Sequence, residues 1–228
     1  MLIVSYHTPS YDTPARMLAL SCERFGLTLD AWRVPERESW RHATRKKAAM
    51  IRDLVRAHPK EDRIVWIDAD SVIMKPPVLF EKLDCDIATR LWNKRHVYGL
   101  AAKIDKPSLT EHEPMTGVLF MRNNAKVHRL LDAWVIAQKE APFAMTRSCQ
   151  RTFGATLLKM PEIRFTPLPI EYCFWQTQFP LPLQPGSDNA VIWVTRWLCK
   201  DAERARVMAN EEKRRRENGT WKKEEWVW

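Results

Sequence analysis

The sequence predicts an α/β protein: one main domain built on a Rossmann-like mixed sheet with helices on both faces. Three observations predict it. Apolar strand, amphipathic helix and second strand alternate from Leu2 onward, the order that builds sheets covered by helices. The run Ile64-Val65-Trp66-Ile67 is apolar at every position, the pattern of a strand buried on both faces. The length, 228 residues with 45% hydrophobic content, suits one well-buried domain rather than two.

The elements follow in order. Leu2 to Tyr6 reads as the first strand, and His7-Thr8-Pro9-Ser10-Tyr11 as the loop at its carboxyl end. Asp12 or Thr13 caps a helix with Pro14 in its first turn, and Gly26 ends it. Leu27 to Val34 alternates as a second strand. Ser39 opens the next helix, which Pro59 stops. At about 100° per residue, Arg41, Arg45, Arg52 and Arg56 fall on one stripe of that helix, opposite an apolar face of Trp40, Ala43, Met50, Ile51, Leu54 and Val55. Lys47 falls in the middle of the apolar face. It either snorkels from the core edge or reaches toward a negative group at the end of the sheet.

The Ile64–Ile67 strand then meets Asp68-Ala69-Asp70, and Pro76-Pro77 block further regular structure. Val78 to Leu83 reads as a helical turn and Asp86 to Leu91 as a strand, followed by a long basic loop from Trp92 to Thr110. Met115 to Met121 is a strand entered through Thr116-Gly117. Asn123 or Asn124 caps a helix to Ala141, and another helix spans Met145 to Lys159. Proline-rich chain runs from Pro167 to Pro185, Ala190 to Thr195 forms a last strand, and Lys200 to Glu217 a charged helix before Trp221, Trp226 and Trp228. The domain boundaries expected are 1–198 for the main domain and 199–228 for the charged helix and tryptophan tail.

Composition excludes several classes. Cys22, Cys85, Cys149, Cys173 and Cys199 are scattered and odd in number, which argues against a disulfide frame or zinc site and for reduced thiols in a cytoplasmic setting. No apolar run has the length of a membrane span and the N-terminus lacks a signal-peptide pattern. The formal net charge is +9, and residues 31–60 hold nine basic against three acidic side chains, a surplus of six. The tail from Lys200, with nine basic against seven acidic, contributes only two.

Two carboxylates at the end of a buried strand are costly unless a positive group compensates them. A hard divalent ion carrying a polyphosphate is one such group, because it prefers oxygen ligands and often takes only one or two carboxylates. A solvated turn is the bland alternative for Asp68-Ala69-Asp70 taken alone.

The ordered set of motifs decides between them. Tyr6-x-Thr8-Pro9-x-Tyr11, Trp40 with Lys47-x-x-x-Ile51-x-x-Leu54, Ile64 to Pro77, Thr116 to Asn123, Leu168-Pro169-Ile170-Glu171-Tyr172 and Val191-Ile192 occur in sequence over residues 1–200. Together they resemble the GT-A fold nucleotide-diphospho-sugar glycosyltransferases, in particular small bacterial and phage-type members. The resemblance implies a GT-A-like domain with its Asp-x-Asp motif at a central strand end, a UDP-sugar donor and Mn²⁺ or Mg²⁺. It implies Asp70 as metal ligand and Asp68 as a ribose or shared metal ligand. Lys47 then stands near the diphosphate or beside Asp68, Thr8 and Tyr11 hold the nucleoside, and Thr116-Gly117 lets the sugar approach. Gln150, Glu171 and Glu113 are the candidates for the reacting centre: an amide suits a retaining reaction and a carboxylate an inverting one. Relatives have an acid where this chain has Cys149, and a late histidine as third metal ligand where this chain has Trp193.

The stripe Arg41, Arg45, Arg52 and Arg56 and the surplus of positive charge point to a polyanionic acceptor, with hydroxymethylated pyrimidine in phage DNA as the leading expectation and the host cytoplasm as its location. The alternatives are a polysaccharide or lipid acceptor, with the terminal tryptophans and basic run docked on an anionic membrane. A nucleotidyltransferase is less favoured, because His7-Thr8-Pro9-Ser10 lacks glycine. A non-catalytic DNA-binding module explains the charge but not the acid pair.

Overall fold

Every second residue of the central strand faces a different helix layer, and that alternation organises the molecule. The computed structural model describes residues 1–36, 40–93, 108–142, 148–175 and 189–194. Strands β1 (Leu2–His7), β2 (Thr28–Arg33) and β3 (Arg63–Ile67) are joined by helices α1 (Asp12–Arg24) and α2 (Trp40–Ala57). Then come β4 (Ser71–Ile73), α3 (Leu79–Lys82), β5 (Ile87–Thr89), β6 (Leu91–Asn93), β7 (His112–Pro114) and β8 (Val118–Arg122). Helices α4 (Ala125–Glu140) and α5 (Ser148–Leu158) precede β9 (Phe165–Pro167), β10 (Phe174–Trp175) and β11 (Ile192–Val194).

The main sheet has six strands in the order β2-β1-β3-β8-β5-β9. β3 runs parallel to β1 and antiparallel to β8, so the sheet is mixed, as expected from the sequence. Ile64 and Trp66 pack on one face with Ile51 and Leu54 of α2, Leu130 and Trp134 of α4 and Phe153 of α5. Val65 and Ile67 pack on the other with Leu18 and Cys22 of α1 and with Phe120. All four residues of the run are at most 1% exposed, which is why no polar residue interrupts it.

The structure places more strands than the sequence predicts. Ser71–Ile73, unassigned in the sequence reading, forms β4 and joins a second sheet of three strands, β10-β11-β4. The predicted Asp86–Leu91 strand is broken at Arg90, its second part becoming β6, which pairs with β7 in a two-stranded ribbon. Phe165–Pro167, unassigned in the sequence reading, is the edge strand β9. Helix α5 is described from Ser148, and Met145, the expected start, lies outside the described residues. The expected loop 94–107, the charged helix and the tryptophan tail lie outside the described residues.

Asn124, not Asn123, caps α4: its Oδ1 accepts from the amides of Lys126 and Val127, both at 3.0 Å. The Asn124 amide in turn donates to Asp86 Oδ1 at 2.9 Å, while the Arg164 amide donates to Asp86 Oδ2 at 2.9 Å. Asp86 is 2% exposed, and burial pushes its pKa up. The Arg164 amide, Asn124 and the charges of Lys126 and Arg164 outweigh that and hold it below the usual aspartate value. A folded pKa below the unfolded one gives stability that is present above the unfolded value and lost as pH falls through the folded one. Asp86→Ala is expected to cost about 2–4 kcal/mol in urea denaturation at neutral pH, with a shallower loss of stability below about pH 4 than wild type.

Candidate functional site

The Asp68–Asp70 pair sits where the two larger sheets meet. The Asp68 amide donates to Gly117 O at 2.8 Å, extending the β3–β8 pairing by one residue, and the Ser71 amide closes a turn onto Asp68 O at 3.0 Å. Ser5 Oγ donates to Ile67 O at 2.7 Å and fastens the strand end to β1. Asp68 is thereby held by backbone on the main sheet, while Asp70 directly precedes β4 of the smaller one.

Two groups set the Asp68 side chain. Lys47 Nζ lies 2.6 Å from Asp68 Oδ1. The Trp66 indole N–H donates to the same oxygen at 3.0 Å and to Thr116 O at 3.2 Å. The lysine ammonium also sits 5.5 Å from the Trp66 ring centre, a cation–π contact, and the Tyr6 ring packs tilted against the Trp66 ring with centroids 5.4 Å apart. Lys47 is 7% exposed. Burial works against its charge, but the nearby Asp68, with Cys149 and Asp70, holds its pKa above the ordinary lysine value. The out-of-place lysine of the α2 apolar face is thus the counter-charge of the first acid.

Asp68 Oδ2 faces Gly117. A methyl on Gly117 would lie 3.6 Å from Asp68 Oδ2, 3.6 Å from Cys173 Sγ and 3.7 Å from Val194 Cγ2. These are ordinary van der Waals distances, so Gly117→Ala is expected to fold with a melting temperature within a few degrees of wild type. The methyl takes the space beside the acid, and any activity that uses this space is expected to drop about 100-fold.

The remaining predicted residues fall into separate groups. Thr8, 5% exposed, shares a hydrogen bond with Ser10 Oγ at 3.1 Å, and Tyr11 ends the 3₁₀ turn Pro9–Tyr11 that starts α1. Glu36 fastens that turn by accepting from the Ser10 amide at 3.0 Å. Thr116 Oγ1 donates to Cys149 Sγ at 3.6 Å, which brings the start of α5 against the Thr116-Gly117 segment. Gln150 and Glu113 line one cavity together, whereas Glu171 lies in the turn Ile170–Cys173, where its charge acts on Arg90 and Tyr172.

Three arginines of the stripe pair with neighbouring groups, although Arg56 stays largely exposed. Arg45 donates to Ala141 O at 2.8 Å and Lys139 O at 3.1 Å, covering the carbonyl end of α4. Arg56 pairs with Asp132 at 2.7 Å, and Arg52 pairs with Asp53 at 2.8 Å and reaches Asp132 at 4.0 Å. The Arg41 side chain lies outside the described residues.

Trp193, at the place expected of a third metal ligand, packs with Phe174 and Ala190 in a small apolar cluster flanked by Met74 and Ile170. Among the described residues no group of three His, Cys, Asp or Glu side chains converges. Two carboxylates completed by substrate oxygens remain a donor set that a hard divalent ion accepts.

Two features of the site were missed from the sequence. Trp66 orients Asp68, a role that an indole two residues before an acid on a strand could have suggested, since both side chains share a face. Arg90 is 3% exposed, donates to Cys173 O at 2.8 Å and leaves its Nη2 buried without a partner. An arginine inside the apolar run Ile87 to Trp92 was the available signal. Cys173, fully enclosed beside Arg90 and the acid pair, has its thiol pushed up to about 12 by burial.

No protein-family model and no curated protein matches the sequence. Solved structures do. A glycosyltransferase involved in glycosylation of the major capsid of PBCV-1 superposes with a TM-score of 0.64 at 14% identity, over 92% of this chain and 98% of that one. The glycosyltransferase GlyE of Streptococcus pneumoniae TIGR4 gives 0.55 at 14% identity, over 84% of this chain and 54% of its own length. The galactosyltransferase LgtC, in complex with donor and acceptor sugar analogues, gives 0.53 at 12% identity over 92% and 96%. A mixed six-stranded sheet with helices on both faces, shared with these enzymes along nearly the whole chain, identifies the fold as GT-A-like, the glycosyltransferase fold.

Proposed function

We propose that this chain is a metal-dependent glycosyltransferase that moves a sugar from a nucleotide-diphosphate sugar, of the UDP type, to a hydroxyl acceptor. The observation that carries the reading is the acid pair itself: Asp68 is locked by Lys47, Trp66 and the Gly117 carbonyl at the end of a central strand, with Asp70 beside it, in a glycosyltransferase fold. Carboxyl ends of strands are where open α/β sheets bind their ligands.

Asp68 and Asp70 would hold a divalent ion, Mn²⁺ or Mg²⁺, which when bound offsets the charge that builds on the departing diphosphate. Asp68 keeps one oxygen toward the Gly117 gap because Lys47 and Trp66 take the other. Lys47 stays protonated and supplies a fixed positive charge at the same place. Thr8 and Tyr11 suit the nucleoside, Tyr11 by stacking, and Gly117 leaves room for the sugar. Gln150 and Glu113 on one side and Glu171 on the other are the groups available to the reacting centre.

A screen for UDP release from several UDP-sugars with Mn²⁺, with and without hydroxymethylated DNA, tests the reading. Absence of both turnover and calorimetric UDP binding across the panel would sink it. Arg45, Arg52 and Arg56 are engaged with α4 and with Asp53, so the stripe no longer argues for DNA in particular. A DNA acceptor now rests on the net charge and the basic residues between 92 and 106, and salt-sensitive stimulation by the modified DNA is its requirement.

A further inference from the structure

A cavity of about 350 Å³ opens between α5 and strand β7. Both elements lead from it toward the Thr116-Gly117 segment. On α5, Gln150 in its wall follows Cys149, whose sulfur takes the Thr116 hydroxyl. On the other side, Glu113 in its wall stands just before Thr116-Gly117, the segment that borders Asp68. The volume falls at the lower end of the roughly 300–1,000 Å³ usual for small-molecule sites, room for a monosaccharide or a disaccharide.

The lining has two characters. His112, Glu113 and Gln150 are polar and buried, at 7%, 3% and 9% exposure. The Gln150 amide takes no hydrogen-bond partner among the described residues, although it is nine-tenths buried. The His112 ring is held through Nδ1 by the Ser108 backbone, at 3.0 Å from its carbonyl, which leaves Nε2 as the open ring nitrogen. Leu109, Pro114 and Leu158 form an apolar wall, and Arg151 stands at the rim. Gln150 lines the cavity, so a ligand there can supply the partner that the described residues do not.

We propose that this cavity is the acceptor subsite and that it takes a neutral pyranose. Adjacent sugar hydroxyls match a carboxylate that accepts two hydrogen bonds and an amide that both donates and accepts. The C–H face of the ring matches Leu109, Pro114 and Leu158. The Glu113 carboxylate in the wall favours a neutral ligand over a phosphodiester, because like charges brought together in a buried site repel. The assignment as acceptor subsite rests on the glycosyltransferase reading, whereas pyranose binding in the cavity does not.

The test uses the full chain and saturation-transfer NMR with methyl glucoside, methyl galactoside, methyl mannoside and methyl N-acetylglucosaminide, each with and without UDP and Mn²⁺. At least one pyranoside is expected to bind, with an affinity of about millimolar. Ala155→Trp fills the cavity from an exposed position on α5 and is expected to weaken that binding at least tenfold while UDP affinity stays within twofold of wild type. Gln150→Leu, of similar shape but without the amide, is expected to flatten the preference among the four sugars. The proposal is overturned if no pyranoside binds, if Ala155→Trp leaves binding unchanged, or if a hydroxymethylated oligonucleotide displaces the sugar. A protein that binds the pyranoside but not UDP would keep the cavity assignment and overturn the donor reading instead.

Discussion

Asp70→Ala is expected to lower Mn²⁺-dependent UDP release by about a thousandfold or more, a loss of roughly 4 kcal/mol of transition-state stabilisation. The fold should not suffer. Asp70 is partly exposed at a turn between two sheets, and the turn is closed by backbone atoms, the Ser71 amide on Asp68 O at 3.0 Å. The variant therefore separates a functional acid from a structural one. Thermal unfolding should stay within a few degrees of wild type, and calorimetry should show UDP affinity that no longer improves when Mn²⁺ is added. Full turnover in Asp70→Ala would remove the metal assignment altogether.

The second large effect belongs to Lys47, and it should appear in stability as well as in activity. Lys47→Met keeps the apolar stem but leaves Asp68 with the indole N–H of Trp66 as its remaining side-chain donor. Breaking a fully buried ion pair costs about 3–5 kcal/mol. The Asp68 side chain is 29% exposed and keeps some water, so a loss of about 2–4 kcal/mol is expected. Donor turnover should fall about 100-fold as the fixed charge disappears. The double variant Lys47→Met/Asp68→Asn should recover more than 1 kcal/mol of the stability and none of the activity. The pH dependence has a definite sign. The folded pKa of Lys47 lies above the ordinary lysine value, so the pair's contribution is complete below about pH 10.5 and is lost as pH rises through the folded value. The gap in stability between wild type and Lys47→Met should therefore narrow only in strong alkali. A gap unchanged across that range would show that the lysine stabilises by its packing alone.

The parts of this fold that were readable from sequence are those whose signal is local. Ile64 to Ile67 announces a buried strand because each position is apolar, and α2 announces itself by its period. What escaped is short and paired at a distance. β4, β6, β7 and β9 have three residues each, too few for alternation to register, and they find partners far along the chain. The site divides in the same way. Lys47 stood out because a cation in an apolar stripe breaks a period. The four arginines also followed a period, but a helical wheel gives the direction in which they point and not the neighbour that lies there. That neighbour is α4, with Asp132 and two exposed carbonyls. Gln150 and Glu113 were picked one at a time, and only the approach of α5 to β7 makes them walls of one cavity.

Asp68 takes its backbone partner from the six-stranded sheet, through Gly117, while Asp70 leads into β4, whose partner is β11 of the three-stranded sheet. The two acids therefore stand on either bank of a seam. A ligand gripping both acids would act as a clasp across that seam. By thermodynamic reciprocity, whatever tilts the smaller sheet must tighten or loosen the grip by the same free energy. β10 and β11 then bear on the acid pair through β4, and a substitution at Ile192, in the β4–β11 pairing, is expected to change how firmly a ligand is held across the seam.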